Sequence, residues 1–84
     1  MKKAKEFLKN IISNLVSLPE DIEIQAIEDE RGVLLKVWVN KADMGMIIGR
    51  GGTNASAIKL LMKLYGYKHD LKIAIKIEEP KNDN

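Results

Sequence analysis

The 84 residues contain no cysteine, which excludes disulfides, thiolate metal sites and a cysteine nucleophile, and suits a reducing compartment such as the cytoplasm. A single histidine, His69, leaves almost no material for a histidine metal cage or a Ser-His-Asp triad. No catalytic residue, metal ligand or cofactor is therefore expected. No run of about 18 apolar residues is present, which excludes a transmembrane helix. The basic opening Met1–Lys5 has the charge of a signal peptide, but Glu6, Lys9, Asn10, Ser13 and Asn14 interrupt the adjoining apolar stretch, and no small-residue cleavage site comes after it. Aromatic residues are scarce: Phe7, Trp38, Tyr65 and Tyr67 are the full set.

The rest is an ordinary globular composition, 45% hydrophobic and 31% charged, long enough for one small domain. The formal net charge of +2 hides a segregation. Glu20 to Glu30 carries six acids and no base. Lys41 to Lys76 carries seven bases against Asp43 and Asp70, a net of +5. A patch of one sign concentrates opposite charge near it, so the second half is the part suited to an anionic polymer.

Ala4, Phe7, Leu8, Ile11, Ile12, Leu15 and Leu18 repeat at three-four spacing and predict an amphipathic helix from about Lys3 to Leu18, stopped by Pro19. Ile22 to Glu28 alternates as a half-buried strand with Ile22, Ile24 and Ala26 inward, and Glu30-Arg31-Gly32 makes a turn. Val33 to Asn40, apolar on much of both faces, is the best central strand. Asn40 and Asp43 are candidate helix caps. A short helix runs from about Ala42 to Ile48, then a second from about Gly52, with Gly66 as its expected stop and Tyr67–Asp70 as a loop. Leu71 to Ile77 alternates as a strand, and the domain spans 1–78, with 79–84 an expected flexible tail. The order predicts a two-layer α+β fold, with a three-stranded mixed sheet carrying its helices on one face.

Four of the six glycines, Gly45, Gly49, Gly51 and Gly52, fall within eight residues between two helices. A helix-to-helix turn needs one such glycine for a left-handed cap; the surplus points to a ligand that approaches the backbone closely. Open amides, a helix start and Arg50 together make a phosphate receptacle. A Walker loop would need a lysine after Gly52, and a dinucleotide fingerprint would need a glycine where Asn54 stands. Both nucleotide readings fail, and a tight turn without a ligand is the alternative.

Ile47-Ile48-Gly49-Arg50-Gly51-Gly52, succeeded by Ile58 and set between two helices, resembles the Ile-Gly-x-x-Gly signature of KH domains. The element order matches their type II arrangement, and residues 40–58 resemble small bacterial single-KH proteins of the KhpA kind. The resemblance implies a non-enzymatic RNA-binding protein that holds about four nucleotides of a single strand. It implies phosphate contacts from the Gly49–Gly52 amides and Arg50, and a base groove with Ile47, Ile48 and Ile58 as floor. Lys72 and Lys76 would extend the phosphate track. It further implies an RNA chaperone or post-transcriptional regulator linked to cell elongation and division. Self-association, or pairing with a larger KH-containing protein, completes the expectation. The competing reading is a KH-fold protein-interaction module with little RNA affinity.

Overall fold

The computed structural model describes residues 2–80. Helix α1 spans Lys2–Ser13, strands β1 and β2 span Glu23–Asp29 and Gly32–Trp38, helices α2 and α3 span Met44–Ile48 and Thr53–His69, and strand β3 spans Ile73–Ile77. The sheet order is β1-β2-β3, with β1 antiparallel and β3 parallel to the central β2. This is the two-layer α+β arrangement that the type II KH order implies. Val33, Leu35, Val37 and Val39 send every second side chain of the central strand into the core, where Leu8, Ile12, Ile47, Ile58 and Met62 meet them from the helices. Each such side chain contributes about 1.5–3 kcal/mol by leaving water.

Two helix ends differ from expectation. Helix α1 stops at Ser13, well before Pro19. Ser13 Oγ and Asn14 Nδ2 donate back to the Asn10 carbonyl at 3.1 and 2.7 Å, which tightens and ends the last turn. Leu15 N–H and Val16 N–H still donate to the Ile12 carbonyl, and beyond them Ser17 N–H and Leu18 N–H donate to the two carboxylate oxygens of Asp43 at 2.8 and 3.1 Å. Asp43 is the buried charged residue among those described, and it makes no cap bond to its own helix. Asn40 does cap, accepting from Ala42 N–H at 2.7 Å.

Helix α3 begins at Thr53 and runs through Gly66 to His69, where Asp70 ends it in a left-handed conformation with φ 60°. Gly66 therefore does not stop the helix. It is buried, and a Cβ there would collide with the Leu71 carbonyl oxygen; its own carbonyl accepts from Leu71 N–H at 2.7 Å. The glycine is needed because the returning chain passes so close. His69 accordingly lies in the last helical turn, its ring 4.2 Å from that of Tyr65, while Tyr65 stacks on Phe7 of α1 at 4.8 Å. The expected tail lies outside the described residues from position 81 onward.

Candidate nucleic-acid interface

The glycine-rich segment joins α2 to α3 through a single tight turn at Arg50–Gly52. Gly49 has φ 76° and ψ 172°, a region essentially closed to residues with a Cβ. Gly51 and Gly52 come next with φ 64° and 83°, so three of four consecutive residues lie at positive φ, and Arg50 is the one that does not. A Cβ at Gly49 would meet the Asn54 side chain, whereas none would meet anything within 4 Å at Gly51 or Gly52. The space over those two residues is open. Glycine there leaves the main chain bare to an approaching ligand, as the spacing of the motif suggested.

The amides of the turn divide into two groups. Gly49 N–H donates to Gly45 O at 2.8 Å and Gly52 N–H to Gly49 O at 3.1 Å, so both are spent on the turn itself. The amides of Arg50 and Gly51 lie between these two, on the exposed part of the turn. Arg50 itself is exposed. Seventeen residues of α3 point their partial positive end at the same place.

Two side chains brace the turn. Asn54 Nδ2 donates to the Met46 carbonyl at 2.7 Å, tying the start of α3 to the end of α2. Thr53 Oγ1 donates to the Arg50 carbonyl at 3.0 Å. In the sequence Asn54 stands out only as a missing glycine; a small amide side chain at a helix start, able to satisfy the preceding helix's carbonyls, was the available signal.

The remaining candidates are placed unequally. Ile47 and Ile58 are buried, at 0% and 3% exposure, and offer no side-chain surface to a base; they support the turn from the core. Ile48, half-buried, is the one of the three with a face toward solvent. Lys76 alternates with the inward Ile73, Ile75 and Ile77, so it stands on the sheet face turned away from the helices, while Lys72, just before β3, shares a corner with Lys63 and Tyr67 of α3. Lys76 Nζ lies 3.8 Å from Glu78 Oε2, which Lys36 Nζ also approaches at 3.9 Å. Between Asp43 and Asp70 the chain carries no acid, and the Asp43 carboxylate is turned inward to main-chain amides.

Residues 5–77 match the family described as KhpA/KhpB, KH domain. The chain belongs to that family. Its relatives include proteins named RNA-binding protein KhpA from Chlamydia caviae, 34% identical over 77 residues that cover 92% of this chain and 99% of the relative. The protein of the same name from Listeria monocytogenes is 39% identical over 75 residues, 89% of this chain and 99% of the relative. A third, from Clostridium perfringens, is 33% identical over 73 residues, 87% and 97% respectively. In this KH domain the Gly-x-x-Gly positions are Gly49 and Gly52, and Arg50 and Gly51 fill the variable places between them. Among the described residues, no group of His, Cys, Asp and Glu could hold a metal ion, and no helix is long and apolar enough to cross a membrane.

Proposed function

We propose that the chain is a non-enzymatic module that binds single-stranded RNA at the turn between α2 and α3. The observation that carries this reading is the run of glycines at positive φ from Gly49 to Gly52, with open space over Gly51 and Gly52 and the exposed Arg50 between them. That set suits a sugar-phosphate backbone, which needs donors and close approach and no particular base. RNA is favoured over DNA by the names of the relatives, which are RNA-binding proteins. Phosphates sit against the bare main chain of the turn and Arg50, and Ile48 offers a partly open apolar surface to a base. In a cytoplasmic setting this activity suits a small RNA chaperone or post-transcriptional regulator, linked through the family resemblance to cell elongation and division.

Replacing Arg50 and Gly51 together by Asp tests the reading. Gly51 sits in a left-handed conformation that Asp tolerates better than most residues, with nothing nearby to clash. The protein stays folded by circular dichroism, and RNA retention in a shift assay is lost. Undiminished retention would place the site elsewhere.

A second contact is supported by a separate observation. Leu60, Leu61 and Leu64 stand 56%, 45% and 51% exposed on α3, away from its buried Ile58 and Met62. An apolar ridge of this kind favours pairing with another KH domain, either a second copy of this chain or a larger KH-containing partner. Sedimentation of the full chain over a range of concentrations, with and without Leu64→Lys, tests it: pairing that the substitution abolishes supports the ridge.

A further inference from the structure

A cleft of about 480 Å³ opens at the far end of α3, where the β1–β2 turn, the last turns of the helix and the start of β3 meet. Its apolar walls come from Ile27 and Leu34 on the outer sheet face, Tyr67 on α3, and Leu71 and Ile73 beside it. Three cations, Arg31, Lys63 and Lys72, also line it. The acid among them, Asp29, has Oδ1 engaged by Arg31 N–H at 2.8 Å and Gly32 N–H at 3.2 Å. Glu28, Glu30 and Asp70 border this corner without lining the cleft. Tyr67 is 67% exposed, the most open of the large hydrophobic side chains. An aromatic ring left so bare beside apolar walls and three positive charges is complementary to a planar base on an anionic backbone.

The cleft is also connected to the turn. Lys59, Lys63 and Tyr67 are spaced four residues apart and share one stripe of α3. Lys63 and Tyr67 line the cleft, so Lys59 stands one turn nearer to Gly52 on the same side. At about 1.5 Å of rise per residue, Tyr67 stands roughly 21 Å along α3 from Thr53. We infer that this cleft is a second nucleotide subsite, in which a base of the same single-stranded RNA stacks on Tyr67 while Arg31, Lys63 and Lys72 neutralise its phosphates. The inference rests on the RNA-binding reading of the turn and extends the bound strand beyond the roughly four nucleotides a KH loop clamps. An apolar peptide would fill the walls but leave the three cations unused. The volume falls within the range of about 300–1,000 Å³ that suits a small planar ligand.

The test is fluorescence anisotropy of the full chain with two single-stranded RNAs, one of about four nucleotides and one of about eight. Tyr67→Ala lowers affinity for the longer RNA by roughly 5- to 50-fold and leaves the shorter one unchanged, while Tyr67→Phe keeps both. Arg31→Ala with Lys72→Ala makes the salt dependence shallower by about 1.4 in log-log slope, again for the longer RNA alone. Equal effects on both RNAs, or none on either, overturn the subsite. Tyr67→Ala that weakens self-association and RNA binding in step overturns it as well, assigning the ring to the protein-pairing ridge. The Arg50→Asp, Gly51→Asp protein, measured alongside, separates the two ideas. Loss of both RNAs upholds the turn whatever Tyr67 does, and binding left intact by that protein while Tyr67→Ala still weakens the longer RNA refutes the turn alone.

Discussion

The two ends of α3 meet solvent in opposite ways. At its start the chain strips away side chains: glycines at positive φ leave the main chain bare, and one arginine supplies the charge. At its finish the chain piles side chains up: a tyrosine, aliphatic walls and cations drawn from the hairpin, the helix and the last strand. The first end is suited to what every nucleotide shares, the phosphate, and the second to a flat apolar surface. Backbone contacts fix register and base contacts discriminate, so under the proposed function grip belongs to one end and preference to the other.

Glycine itself differs between these ends. Gly51 and Gly52 are there for conformation, with empty space where a Cβ would go. Gly66 has an ordinary helical backbone and is there for size, pressed against the Leu71 carbonyl. In sequence the two uses look identical.

The sharpest break of the comparison is at the start of α3. Arg50→Asp with Gly51→Asp abolishes detectable RNA retention in a shift assay while the circular dichroism spectrum is kept, because two anions then face the phosphate. Next comes Gly66→Ala, which lowers unfolding free energy by about 1–3 kcal/mol in urea denaturation, since the added methyl group overpacks a site with no room. Gly51→Ala provides the contrast: it costs only the strain of a left-handed alanine, about 1–2 kcal/mol, with no collision. Asp43→Ala removes the partner of the Ser17 and Leu18 amides; because Ser17 is exposed and water can replace the carboxylate there, the cost is about 1 kcal/mol, again read from denaturant midpoints. The smallest effect is in salt. Neutralising two to four phosphates gives a log-log slope of roughly −1.5 to −3 for a single strand, and a flat response would mean that the turn holds no phosphate at all.

Much of this was legible in the residues, because the signals were local. Alternation in Val33–Val39 marked the central strand, and the crowding of Gly49, Gly51 and Gly52 between two helical patterns marked the turn. The hidden parts depend on contacts that sequence spacing does not encode. Helix α1 was expected to reach Pro19, but Asp43, distant in the chain, takes the amides that would have continued it. Ile47 and Ile58, expected in the floor of the base groove, are buried in the core. Lys72 and Lys76 look alike by charge, but strand alternation turns Lys76 to the face away from the helices, while Lys72, just before the strand, meets the end of α3. The cleft carries no motif of its own, being assembled from short pieces of the hairpin, α3 and β3.

The tether at Asp43 has an evolutionary corollary. On one side of it stands a specific carboxylate; on the other stand only peptide N–H groups, which nearly every amino acid supplies. As far as this contact is concerned, position 17 is free to drift through almost any residue but proline, while position 43 is not. The fastening of the first helix to the approach of the Gly-x-x-Gly turn is thus insured against mutation at one anchor and exposed to it at the other.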